Sequence, residues 1–207
     1  MNRAELKAKA KEQIKGKIGI LLVISLIIAA ITAAVTWVVS LIPVVGKIIA
    51  PLVVGPAFAL STTRVILGVA AGVKPAAGDA FCGFDDYWSA VKLHLLSGVY
   101  IFLWSLLLVI PGIIKTYAYS MSVYILAENK GKSARECIKE SIAMTMGYKA
   151  DLFILGLSFI GWGLLSCITF GIALIWVMPY MQATYANAYN LLKSKVVPGV
   201  EEASVAE

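Results

Sequence analysis

Residues 18–42 contain no charged side chain, a run of 25 residues. No other feature constrains the fold as tightly. A helix needs about 20 predominantly apolar residues to cross a hydrocarbon core of about 30 Å. A core helix of a soluble domain seldom excludes charge for so long. Composition points the same way. Of the 207 residues, 60% are hydrophobic and 14% charged, whereas soluble domains carry about 25% charged residues. The chain reads as a polytopic membrane protein. Its leader, residues 1–17, has the basic character of a signal peptide but also holds Glu5 and Glu12. The apolar run is longer than the roughly 7–15 residues of a signal's hydrophobic region. A retained first span is expected.

Helix breakers divide the rest. Residues 93–127 would make a straight helix of about 50 Å, too long for one span. Pro111-Gly112 lies within them, and proline and glycine both oppose a continuous helix there. The expected result is a turn between spans 93–110 and 113–127, with Lys115 snorkelling to the nearby membrane surface. The same form recurs. Residues 18–42 are followed by Pro43, Gly46 and Lys47, then by an apolar run at 48–67. Residues 152–168 are followed by Gly171, then by 172–192. The expected fold is all-α: a polytopic membrane helical bundle of six spans, as three hairpins at 18–71, 93–127 and 150–192, in a single integral membrane domain.

Each hairpin has an amphipathic lead-in. Residues 1–17 place Leu6, Ala10, Ile14 and Ile18 at four-residue spacing among lysines. Residues 75–92 set Phe81, Phe84, Trp88 and Val91 on one helical face. Residues 132–149 open on Ser133 and Glu136, an S-x-x-E capping signal, with Ile138, Ile142 and Thr145 sharing a face. Such helices are expected to be interfacial and cytoplasmic, apolar stripe in the acyl boundary and cations at the headgroups. Residues 193–207 form a tail.

Charge sets the orientation. Of the 18 Lys and Arg, all but Lys47, Arg64 and Lys115 fall on one side of this scheme, together with every acidic residue. Lys and Arg favour the cytoplasmic side. Both termini are therefore expected to be cytoplasmic, in a multi-pass protein of the cell membrane. The partners expected are membrane lipids, through anionic headgroups at that face, and no nucleic acid.

Chemistry is sparse. Cys82, Cys137 and Cys167 are widely spaced and make no metal or redox pattern. His94 is the one histidine, so no zinc ligand set arises. Ser158 lies in "GLSFIGWG" with no base marked for it. No catalytic residue, metal or cofactor is expected. None of the spans holds Asp or Glu in its interior, which argues against proton or sodium coupling. Arg64 is the one candidate intramembrane charge, either an anion or headgroup site or a snorkelling anchor. Aligning the three units sets Arg64, Ser122 and Asn187 level. These are the candidate polar or lipid-headgroup site. The competing reading is interhelical hydrogen bonding, worth about 0.6 kcal/mol per bond.

Four stretches carry a family resemblance: "RAELKAKAK", "LWSLLLVIPGIIKTYAYSMSVYILAEN", "CIKESIAMTMGYKADLFILGLSFIGWGLL" and "MPYMQATYANAYNLL". With the spacing between them, the chain resembles the small bacterial integral membrane proteins called domain of unknown function nine-seven-five. That family is more distantly similar to the membrane portion attached to some glycerophosphodiester phosphodiesterases, whose catalytic barrel has no counterpart in this sequence. The resemblance implies six spans and transfers no catalytic residue. The expected function is a non-enzymatic accessory, scaffold or lipid-interacting membrane protein. The alternative is a transporter or channel for a small or amphiphilic solute.

Overall fold

The computed structural model describes residues 2–39, 45–169, 171 and 173–205, without the side chains of 39, 45–53, 175 and 196–205. All regular structure among them is helical. The α-helices are α1 (Arg3–Ile14), α2 (Ile18–Val39), α3 (Val45–Ala70), α4 (Tyr87–Leu107), α5 (Val109–Tyr119), α6 (Ser122–Glu128), α7 (Ala134–Met144), α8 (Lys149–Leu157), α9 (Ile160–Ile168) and α10 (Leu174–Val205). Two 3-10 turns, Ala77–Phe81 and Phe84–Asp86, lead into α4. Four stretches are long and apolar enough to cross a membrane: Ile18–Val38, Ala77–Leu107, Val109–Glu128 and Lys149–Ile168. A shorter apolar helix covers Val54–Ala70. Of the turn expected at 43–47, residues 43 and 44 lie outside the described residues and 45–47 already belong to α3; Phe170 and Ile172 at the third turn also lie outside them.

Local sequence sets several helix ends. The Asn2 side chain accepts from the Glu5 N–H at the start of α1. The chain leaves α1 through Gly16, whose φ of 80° suits glycine. At α7, Ser133 Oγ accepts from the Glu136 N–H while Glu136 accepts from the Ser133 N–H. That is a reciprocal capping box, satisfying two otherwise orphan donors. Ser133→Ala is expected to lower stability by about 1 kcal/mol, read as a lower thermal midpoint in detergent. No change would remove the capping role.

The α4–α5 break differs from the sequence expectation. It falls at Leu108, which is extended (φ −160°, ψ 141°), three residues before Pro111. Proline is compatible with the first turn of a helix, where its missing N–H would be unpaired anyway, whereas its ring would clash with the Leu107 carbonyl in a continuous helix. The chain therefore turns ahead of Pro111, which falls in the first turn of the next helix, starting at Val109. Gly112 serves contact: a Cβ there would lie 2.2 Å from Ser105 Oγ and 2.9 Å from Ser105 Cα. Past this contact α4 and α5 run antiparallel. Lys115 Nζ sits 4.6 Å from the Trp104 ring centre, and Tyr100 and Tyr119 pack at 6.2 Å.

Two apolar stretches are broken again with no proline. Between α5 and α6, the Met121 N–H donates to Ser141 Oγ (3.2 Å), and Ser141 Oγ donates to the Ala118 carbonyl (2.7 Å). A hydroxyl of α7 thus takes over bonds that a continuous helix would have made. Between α8 and α9, the freed Ser158 carbonyl accepts from Lys7 Nζ at 3.3 Å. The second lead-in is likewise 3-10 turns rather than one helix. Its Gly83 is pinned against α3, where a Cβ would come 2.2 Å from the Ala57 carbonyl oxygen. Phe58 packs there on Phe81 and Phe84.

The core surrounds α6, whose Ser122, Ile125, Leu126 and Ala127 are buried. Leu60 and Leu93 join it from α3 and α4, Leu152 and Leu155 from α8, and Tyr189 and Leu192 from α10. The lead-in stripes are used here. Leu6, Ala10 and Ile14 of α1 are buried in protein, as are Cys137, Ile138 and Ser141 of α7. In this structure those stripes face neighbouring helices, not an acyl boundary. Uncovered apolar side chains occur beside the second lead-in, at Phe81, Phe84 and Trp88, and in larger number at the opposite helix ends. Leu106 to Ile110, Ile168, Trp37 and Trp176 are all exposed. Such a surface suits lipid and not water.

Candidate functional site

Arg64 joins elements that are distant in sequence. It sits on α3 beneath the second 3-10 turn and the end of α6. Helix ends leave carbonyls without partners, and two of them meet this guanidinium. Arg64 Nη1 donates to the Cys82 carbonyl, and Nε donates to the Ala127 carbonyl at 3.3 Å. Nη2 lies 3.6 Å from Asp86 Oδ2, the side chains being 10% and 13% exposed. Asp86 also accepts from the Gly131 N–H at 2.7 Å, at a glycine with φ 77°. Lys130 pairs with Asp85 beside it. Arginine's rigid fork suits this task, because one side chain reaches three acceptors at fixed angles. The guanidinium is thus engaged with two carbonyls and a carboxylate, although Nη2 is buried and makes no hydrogen bond, meeting Asp86 only as an ion pair.

Ser122 and Asn187 lie elsewhere. Ser122 Oγ donates to the Tyr119 carbonyl at 2.6 Å within its own chain segment. It lines a small cavity of about 280 Å³ with His94, Ser97 and Tyr119. Asn187 Nδ2 donates to Gln13 Oε1 at 2.8 Å, and Gln13 Nε2 donates to the Ala70 carbonyl at 3.0 Å. Asn187 lines a separate cleft between α1 and α10. The three residues that align in sequence are therefore not brought together. Between their surroundings, the Tyr124 and Tyr189 rings stack at 5.5 Å.

The remaining candidates have local roles. Ser158 Oγ donates to the Leu155 carbonyl. Burial pushes the Cys137 thiol up to about 11, so it stays protonated and unreactive near neutral pH. No group of three His, Cys, Asp or Glu capable of holding a metal occurs among the described residues.

Residues 1–116 and 106–196 match the model of a family described as Protein of unknown function (DUF975). The chain belongs to the DUF975 family. No curated protein and no solved structure matches it.

Sequence reasoning missed two features of this DUF975 protein. The first is the chain of polar contacts from the Tyr189 hydroxyl, which donates to Glu128, to Lys193, which pairs with the same carboxylate. Glu128 and Lys193 each end an apolar stretch, which was the one available signal. The second is Asp86, whose partner Arg64 lies on another helix with no short-range spacing to mark it. All these charged contacts share one end of the bundle, where Phe81, Phe84 and Trp88 are exposed beside them.

Proposed function

We propose that this DUF975 protein is a non-enzymatic accessory, scaffold or lipid-interacting protein of the bacterial cell membrane. Its chain crosses six times in three hairpins, with both termini and the charged end in the cytoplasm. The observation that carries the reading is the division of the surface. Cations such as Lys9, Lys11 and Lys15 are exposed at one end, where Phe81, Phe84 and Trp88 are also uncovered, and a larger set of apolar side chains without charged neighbours of that kind is uncovered at the other. Cytoplasmic Lys and Arg near anionic lipid contribute roughly 1 kcal/mol each. The packed core supports an accessory role over transport, since Ser122 and Asn187 line separate cavities and Arg64 is bonded to protein carbonyls. The link to the membrane portion of glycerophosphodiester phosphodiesterases rests on sequence resemblance alone.

The test is amine labelling of protein in vesicles with and without anionic lipid. Lys9, Lys11 and Lys15 should be protected in anionic vesicles only. Equal labelling in both would end the electrostatic part of the proposal. Orientation is tested by single cysteines in a cysteine-free background. A cysteine at Leu108 should react with an impermeant thiol reagent on intact cells, while those at Lys11, Lys132 and Ser194 should react only after lysis. Reaction at Lys132 from outside would overturn the hairpin scheme.

The second reading, a carrier or channel for an amphiphilic solute, draws on one groove. It holds about 790 Å³ between α2, α3 and α10, with Ser25, Thr32, Thr36, Thr62 and Gln182 on otherwise apolar walls. Thr32 and Thr62 donate to carbonyls of their own helices, which weakens the case for solute contact. Solute flux through reconstituted vesicles that falls on Gln182→Ala would favour this reading.

A further inference from the structure

A groove opens where the start of α7 meets α4. It encloses about 470 Å³, with Leu95, Leu96 and Val99 as its apolar wall and Lys92 and Arg135 lining it from α4 and α7. The α4 positions share a face, since residues three and four apart are neighbours on a helix. That face continues past the groove through Phe102, Leu103 and Leu106, all exposed. Beyond Lys92, α4 has no Lys, Arg, Asp or Glu, and it belongs to a stretch long and apolar enough to cross a membrane. Trp88, one turn before Lys92, is also exposed, as suits the headgroup level. The groove therefore joins the charged end of the bundle to surface that suits lipid.

Its two cations are not neutralised by protein. Lys130 pairs with Asp85, Lys132 with Glu140 and Lys193 with Glu128, whereas Lys92 and Arg135 have no ion pair among the described residues. Glu136, the acid in the first turn of α7, turns back to the Ser133 N–H and does not line the groove. Ser133, which does, accepts from the Glu136 N–H and keeps its own O–H to donate. The larger groove between α2, α3 and α10 has no charged lining residue, so it offers an anionic headgroup no partner of opposite charge. We infer that the α4–α7 groove binds one anionic phospholipid. Its phosphate sits between Lys92, Arg135 and the Ser133 hydroxyl, and an acyl chain follows Leu95, Val99, Phe102 and Leu106. From Lys92 to Leu106 the helix rises about 21 Å, enough to pass the roughly 15 Å of hydrocarbon in one leaflet. A soluble phosphate would leave the apolar wall uncovered, so the occupant is the lipid. This site rests on the reading of the chain as a lipid-interacting membrane protein, and adds the class of lipid and its place.

The experiment is native mass spectrometry of the full chain in neutral detergent, titrated with phosphatidylglycerol or phosphatidylcholine. One phosphatidylglycerol should stay bound at concentrations where phosphatidylcholine does not. Lys92→Ala and Arg135→Ala, both at exposed positions, should each weaken its retention about five-fold with an unchanged thermal midpoint. Lys11→Ala should leave retention as it is, and Lys92→Glu/Arg135→Glu should abolish the preference. Excess glycerol phosphate should not displace the lipid. Displacement would make the ligand a soluble ester, and a dimer formed in place of the lipid complex would give the face to a second copy; either overturns the site. So does equal retention of the two lipids, or unchanged retention by the Lys92→Ala/Arg135→Ala double variant. Amine labelling in vesicles separates this site from the proposed function. Protection of Lys9, Lys11 and Lys15 without lipid selectivity in detergent removes the site and leaves the surface reading; selectivity without protection does the reverse.

Discussion

Replacing Arg64 by methionine is expected to destabilise the protein by about 3 kcal/mol. Methionine keeps the unbranched stem as far as the position of Nε but none of the donors. The Cys82 and Ala127 carbonyls lose their partner, and Asp86 keeps only the Gly131 N–H. Removing one member of a buried ion pair costs about 3–5 kcal/mol because the other is left uncompensated. The slight exposure of both side chains places Arg64 at the lower end. Arg64→Lys should recover part of the loss, since an ammonium keeps the charge but cannot span three acceptors. Lys130→Ala is the contrast. The Lys130–Asp85 pair is 66% and 61% exposed, and such pairs contribute little after solvent screening. The measurement is thermal unfolding of each variant at a fixed ratio of detergent to protein. An Arg64→Met midpoint matching that of Lys130→Ala would show that the node does not hold the α3, α4 and α6 ends together.

Gly112→Val is expected to lose about 3 kcal/mol, the upper part of the usual range for overpacking. Ser105 can rotate its hydroxyl away from a new Cβ, but its Cα at 2.9 Å is fixed to the helix. The helices must therefore separate, which would loosen the Lys115–Trp104 and Tyr100–Tyr119 contacts beyond. In lipid this matters more than lost apolar burial, because acyl chains are as apolar as leucine and helix association depends on close packing. Gly112→Ala should cost about 1–2 kcal/mol. Adding Ser105→Gly should restore more than half, since it removes the hydroxyl and Cβ while leaving the Cα. The assay is the thermal midpoint, with the intrinsic fluorescence of a Trp104-only variant reporting separation. If Gly112→Ala were as stable as wild type, Gly112 would occupy an open turn, as the dipeptide alone suggests.

That contrast marks how far local signals reach. The uncharged run at 18–42, the capping pair Ser133 and Glu136, and the stripe of Leu6, Ala10 and Ile14 were legible because each depends on neighbours within one or two helical turns. They determined by themselves that the chain is helical, that it has stretches able to cross a membrane, and where α7 begins. The same reading put the break on Pro111-Gly112 itself, whereas the chain breaks at Leu108, because proline restricts the residues before it while tolerating a place in the first turn of the helix that follows. Only the tertiary structure decided the rest. The breaks at 120–121 and 158–159 depend on Ser141 and Lys7, which come from other elements to satisfy freed backbone groups. The lead-in stripes had an apolar face but no label saying whether protein or lipid would cover it. Arg64 looked like a lone intramembrane cation because Cys82, Asp86 and Ala127, its three partners, come from two segments that meet it only when α3, α4 and α6 pack. Hydrogen-bond partners of unpaired helix ends follow the path of the whole chain, and no short window of sequence contains that path.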